Sequence, residues 1–191
     1  ELGIFEMTVK GFREIKNPSS VFLDLGGENL SGSAISAVME GTRPFLVEIQ
    51  ALVTKTIFGY PQRKTSGFDA NRLQVLAAVL AKRTRVNLIN QDIILNVVGG
   101  LKIDDPALDL AVSGAIISSL LNQIINRRTI ILGEVGLSGE IRNVSRLEER
   151  LAEAEKLGFN RAIIPPAEIK TKKIKLEKVK NLAELINLIA E

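Results

Sequence analysis

The sequence predicts an α/β fold of the α+β kind, a mixed sheet packed with helices, and three observations carry that expectation. Runs of β-branched and apolar residues alternate along the chain with stretches of helical periodicity, the pattern of strands and helices that share a core. At 191 residues and 46% hydrophobic, the chain is long enough to bury one sizeable core, so a single domain over residues 1–191 is expected. Aromatic residues make up only 4%, with no Trp and one Tyr, so Leu, Ile, Val and Ala must fill that core.

The elements follow in order. Glu1-Leu2-Gly3-Ile4-Phe5-Glu6-Met7 starts inside an apolar pattern, as a fragment of a larger protein would. Residues 21–25 and 45–54 read as strands, with breaks at Gly26-Gly27, Ser31-Gly32-Ser33 and Gly41-Thr42-Arg43-Pro44. Residues 59–67 form a polar, breaker-rich loop. Asp69 then stands as N-cap ahead of Leu73, Leu76, Ala77 and Leu80, which predicts a helix over 70–83. Residues 93–98 read as a buried strand ending at Gly99-Gly100. A helix starts near Pro106, capped by Asp104 or Asp105, and its small residues Ala111, Gly114, Ala115, Ser118 and Ser119 place it deep in the core. A strand over 129–132, an amphipathic helix over 147–157 closed by Gly158, a strand over 162–164 stopped by Pro165-Pro166, and a helix over 182–190 complete the chain.

Composition excludes much chemistry. With no Cys and no His there are no thiol nucleophiles, disulfides or thiolate metal sites, and the commonest proton-transfer side chain is missing. No apolar stretch reaches the roughly 18 residues that span a bilayer, so a soluble, cytoplasmic protein without a membrane partner is expected. Neither GxxxxGK[ST] nor GxGxxG occurs, so no ATP site is expected in this chain. Among familiar hydrolytic arrangements only Ser-Lys remains open.

Net charge is +3, but two windows are basic: Arg63, Lys64, Arg72, Lys82, Arg83 and Arg85 against Asp69, and six lysines between Lys170 and Lys180 against Glu177. Positive charge gathered on one surface suits a phosphate backbone. The second window alternates with Ile174, Leu176 and Val179 and reads as a solvated strand edge.

Two segments carry a family resemblance: Asn96-Val97-Val98-Gly99-Gly100-Leu101-Lys102-Ile103-Asp104-Asp105-Pro106-Ala107 and Gly133-Glu134-Val135-Gly136-Leu137-Ser138-Gly139-Glu140-Ile141-Arg142. Both resemble the proteolytic domain of Lon. With Met39-Glu40-Gly41-Thr42-Arg43-Pro44, Val47-Glu48-Ile49-Gln50-Ala51-Leu52-Val53 and Gly67-Phe68-Asp69-Ala70-Asn71-Arg72-Leu73, the whole chain is more similar to the Lon-like C-terminal domain of the RadA (Sms) family of bacterial recombination and repair proteins. The resemblance implies a Lon proteolytic-domain fold (ribosomal protein S5 domain 2-like). It also implies upstream zinc-finger and RecA-like ATPase domains, which would take the Zn, ATP and Mg, leaving no cofactor for this chain.

Lon carries its nucleophilic serine in Gly-Pro-Ser-Ala-Gly, matched here by Asp105-Pro106-Ala107-Leu108-Asp109, and its lysine after Gly-Gly-Leu, matched by Ser145-Arg146-Leu147-Glu148. Ala107 and Glu148 thus occupy the two catalytic positions. A methyl group cannot attack a carbonyl, and a carboxylate cannot replace the amine, so no peptidase activity is expected. A displaced dyad would need Ser113 or Ser145 with Lys102. Asp104, Asp105, Asp109, Glu134 and Glu148 could in principle form a metal or acid/base site. The simpler reading makes Asp104 or Asp105 the helix cap, and Glu148, Glu149, Arg150 and Glu153 an exposed face.

The resemblance further implies a homohexameric ring through which single- or double-stranded DNA passes, in an ATP-driven translocase that extends recombination intermediates, with a RecA-type recombinase as a further partner. Arg63, Lys64 and Arg72, then Lys82 and Arg83, are the expected DNA contacts, acting electrostatically and without sequence preference. Two bland alternatives stand beside this: Arg72 pairs with Asp69 or a neighbouring subunit, and the chain is an oligomerisation module with no DNA contact.

Overall fold

A computed structural model of the chain describes residues 5–9, 11–14, 23, 30–57 and 59–190. It is a mixed α/β structure built on a seven-stranded sheet packed with helices. The strand expected over 21–25 lies outside the described residues, apart from Leu23.

The strands are β1 (Phe5–Thr8), β2 (Gly11–Glu14), β3 (Ser33–Glu40), β4 (Arg43–Lys55), β5 (Arg63–Ser66), β6 (Gln91–Val97), β7 (Thr129–Ile131), β8 (Glu134–Val135), β9 (Ile141–Arg142), β10 (Arg161–Ile164) and β11 (Lys175–Lys178). The helices are α1 (Ala70–Arg83), α2 (Asp109–Leu121), α3 (Leu147–Lys156) and α4 (Leu182–Ala190). The large sheet runs β11-β10-β7-β3-β4-β6-β5, while β1-β2 and β8-β9 are separate antiparallel pairs. One half, β11-β10-β7-β3, is parallel; β4 is antiparallel to both β3 and β6, and β5 returns parallel to β6.

The pleat divides the core in two. Phe45, Val47, Ile49, Ile93, Leu95 and Val97 face α1, α2 and α4, where they meet Leu73, Leu76, Leu80, Ala111, Ala115 and Leu185. On the opposite face Ile35, Leu46, Ile130, Leu132 and Ile164 pack under Leu147, Leu151 and Ala154 of α3. Helix α2 is buried from Asp109 to Ser118, as its small residues predicted. Its hydroxyls serve the sheet: Ser118 Oγ accepts from Gly32 N–H at 2.8 Å, and Ser119 Oγ from Val53 N–H at 2.9 Å.

Two strands depart from the sequence reading. β3 lies where only breakers were read, because Ser33, Ala34, Ser36 and Ala37 look like loop residues until Ser36 Oγ is seen donating to Ile131 O at 2.8 Å inside the core. β5 falls in the segment read as loop; its polar residues Arg63-Lys64-Thr65-Ser66 pair in register with Ile93 to Asn96. The lysine-rich window does form the edge strand β11, where Glu177 accepts from Arg161 Nε at 2.7 Å and pairs with Lys175 at 3.0 Å.

Gly67 turns the chain from β5 into α1 at φ +79°, and a Cβ there would sit 2.5 Å from Leu101 O and 2.9 Å from Val97 Cβ. Gly67→Ala should therefore destabilise the chain by about 2–4 kcal/mol. Urea unfolding with an unchanged slope would measure this; a loss below about 0.5 kcal/mol, the range of ordinary surface changes, would contradict it.

Candidate functional site

The stretch Asp105-Pro106-Ala107-Leu108-Asp109 forms a single 3-10 turn over Pro106–Leu108 leading directly into α2. Asp105 caps it, accepting from Ala107 N–H at 3.0 Å. Ala107 is fully buried, and its carbonyl accepts from Gly133 N–H at 3.1 Å. Gly133 O in turn accepts from Leu110 N–H at 3.0 Å, so the turn is stitched to the segment after β7.

Both acidic ends of the stretch are held by arginines. Arg150 of α3 is 1% exposed; it donates to Asp105 Oδ2 at 2.7 Å, Ala37 O at 2.6 Å and Ser145 O at 3.0 Å. Asp105 Oδ2 also accepts from Met39 N–H at 3.1 Å. At the other end Arg72 of α1 grips buried Asp109 through both carboxylate oxygens, with Nε at 2.9 Å, and donates to Val135 O at 2.8 Å. Val135 N–H closes the ring onto Asp109 Oδ2 at 3.1 Å. Burial pushes the Asp109 carboxyl up, against the hydrogen bonds from Arg72 and Val135. The same hydrogen bond to Asp109 raises Arg72, a group that stays charged in proteins.

This geometry corrects two readings, the exposed Arg150 and the Arg72–Asp69 pair, and resolves a third. Arg150 does not belong to an exposed face: Leu147, Arg150, Leu151 and Ala154 are the buried residues of α3. Their i, i+3, i+4, i+7 spacing is the signal that would have placed Arg150 inward. Asp105 rather than Asp104 is the cap. Arg72 pairs with Asp109, while Asp69 Oδ1 accepts only its backbone N–H, at 2.7 Å.

The other candidates are scattered. Glu148 is exposed beside Glu155, Lys170 and Thr171, whereas Ala107 is enclosed. Ser113 is fully buried with its hydroxyl unpartnered and so is not paired with Lys102, which is exposed, as is Ser145. Glu134 lies 3.7 Å from Arg142. Among the described residues no group of three or more acids is set to hold a metal.

The five expected DNA contacts fall into three environments. Arg63 shares the helix-facing side of the sheet with Ile93 and donates to Gln91 O and, at 3.1 Å, to Leu88 O. Burial lowers its pKa, with Asp92 opposing. Arg72 is committed to Asp109. Lys64 is exposed on the opposite sheet face, in register with Ile94, itself in register with Leu52; these two are 43% and 56% exposed. Lys82 and Arg83 are exposed in the last turn of α1, with Arg83 Nε reaching Leu137 O at 3.3 Å.

The fold and these motifs define the class of protein. The family described as Subunit ChlI of Mg-chelatase matches residues 49–168, and the chain belongs to that family. More particularly, it is 50% identical over 190 residues to the DNA repair protein RadA of Bacillus subtilis, covering 97% of this chain and 42% of that protein. It is 47% identical over 172 residues to the DNA repair protein RadA of Escherichia coli, covering 90% of this chain and 37% of that protein. With the DNA repair protein RadA of Halalkalibacterium halodurans it shares 50% over 165 residues, 86% of this chain and 36% of that protein. The chain thus spans about two-fifths of the length of these relatives, and the RadA-type resemblance read from its motifs holds over most of it.

Arg150→Met keeps the bulk of the side chain but leaves Asp105 facing no cation, and breaking such a buried pair should cost about 3–5 kcal/mol. Chemical denaturation would check this. The same loss with Asp105 also replaced, as Asp105→Leu with Arg150→Met, would show that the pair itself is not the cause.

Proposed function

We propose that this chain is a non-proteolytic, Lon-like scaffold domain of a cytoplasmic RadA-type DNA repair protein. It promotes assembly of a hexameric ring and contacts DNA, while an ATPase elsewhere in the protein drives translocation and branch migration. ATP, Mg and Zn belong to those other parts, and a RecA-type recombinase is engaged through the whole protein.

The observation that carries this reading is the enclosure of Ala107. The residue at the nucleophile position is fully buried inside a turn whose two ends are held by arginines, so the stretch serves packing rather than a cleft. Restoring the chemistry alone should then fail: an Ala107→Ser, Glu148→Lys variant should cleave no unstructured protein substrate. Turnover above that of the unaltered chain would overturn the scaffold reading.

In the DNA role, Lys64, Lys82 and Arg83 reach phosphates, while Arg63 and Arg72 hold the loop and helix that present them. Contacts of this kind are salt-sensitive and indifferent to sequence. Fluorescence anisotropy at several salt concentrations should show binding weakened at least about tenfold by Lys64→Glu with Lys82→Glu and Arg83→Glu. The slope of log K against log salt should fall by about 0.9 per lost contact on duplex DNA. Light scattering should show the same oligomer. No DNA binding by either protein at low salt would instead favour an assembly module without DNA contact, the reading that suits the internal engagement of Arg63 and Arg72; equal binding by both would move the contact to other residues.

A further inference from the structure

Where α1 and α2 end beside α4, the surface opens into a groove of about 930 Å³, towards the upper end of ligand-pocket volumes. Its apolar lining comes from Val86, Leu120, Leu121 and Ile186, and Leu121 is 38% exposed. Lys82, Arg83 and Arg85 also line it, and no Asp or Glu does. Among the described residues no carboxylate pairs with Lys82 or Arg85. Among the described residues, then, three cations stand beside aliphatic surface with no carboxylate lining the groove or paired with them.

That combination selects an occupant. Bases of single-stranded DNA bind by stacking on aromatic rings, and the groove has none, so a nucleic acid there would use the cations and leave the aliphatic floor wet. A free phosphate would do the same. A peptide with apolar side chains set between carboxylates uses both, burying the first against Leu120, Leu121 and Ile186 and offering the second to Lys82, Arg83 and Arg85. We propose that this groove is a docking site for an acidic, apolar-anchored peptide segment of a partner protein. The site shares Lys82 and Arg83 with the DNA reading but does not depend on it, since Leu121 and Arg85 have no part in that reading.

The test uses a ten-residue fluorescein-labelled peptide alternating Asp with Leu and Phe, an all-Asp peptide of equal length, and labelled oligo-dT. The 191-residue chain is compared with its Leu121→Asn and Arg85→Glu variants, each first matched to it in thermal unfolding. The mixed peptide should bind, lose at least tenfold in affinity in either variant, and bind at least tenfold more tightly than the all-Asp peptide. Oligo-dT binding should be unchanged by the neutral Leu121→Asn. Equal affinity for the two peptides, or none for either, overturns the proposal; so does oligo-dT binding that falls with Leu121→Asn, which assigns the groove to nucleic acid. Failure of the DNA reading shows separately, as oligo-dT binding insensitive to Lys64→Glu.

Discussion

Two buried or half-buried ion pairs, Asp105 with Arg150 and Asp109 with Arg72, hold the rest of the structure in register. Each bridges elements far apart in the chain: Arg150 brings α3, on one face of the sheet, to the turn before α2, on the other. Arg72 ties α1 to the first residue of α2 and to β8. Desolvating an ion pair often cancels its Coulomb gain, so these contacts need not add net stability. Their effect is positional. A guanidinium with three acceptors arranged around it accepts few alternative packings, and the two helical layers are thereby fixed relative to the strands between them.

On the proposed scaffold reading, that constraint is why the stretch Asp105 to Asp109 serves packing rather than an open site. A nucleophile must be exposed to substrate and near its base, and a turn closed at both ends by arginines satisfies neither condition once its central residue is an enclosed alanine. Asp105, which caps the turn and accepts from Met39 N–H, has all its contacts directed inward or to the backbone. The acidic residues of this segment, candidates for acid/base chemistry on composition alone, are consumed in holding the fold together.

How much of this could be read from the sequence depends on whether the signal was local. Helix α1 was legible to the residue, because Asp69 and the leucine spacing lie within a few positions of one another. The depth of α2 was legible from its small residues. β3 and β5 were not, since one is built of small residues whose hydroxyls are satisfied only across the fold and the other is a polar edge strand made by its partner β6. The clamp was half legible: the periodicity of α3 places Arg150 among buried leucines, but nothing local joins Arg72 to Asp109, 37 positions away. That the basic window is split between two surfaces was not legible for the same reason, because nearness in sequence says nothing about which side of a sheet a side chain takes.

The separation of those cations bears on how a ring of such chains would meet DNA. Lys64 lies on one face of the sheet, beside exposed Leu52 and Ile94, and Lys82 and Arg83 at the helical layer on the other. A phosphate backbone touching both from one protomer has to cross the β5 edge, where Arg63 braces the strand against the carbonyls of Leu88 and Gln91. A path confined to either face meets only part of the positive charge that the sequence concentrates between Arg63 and Arg85. On the proposed DNA reading, a contact that uses all three cations therefore passes the β5 edge, and at the end of α1 it competes for Lys82 and Arg83 with whatever occupies the groove there.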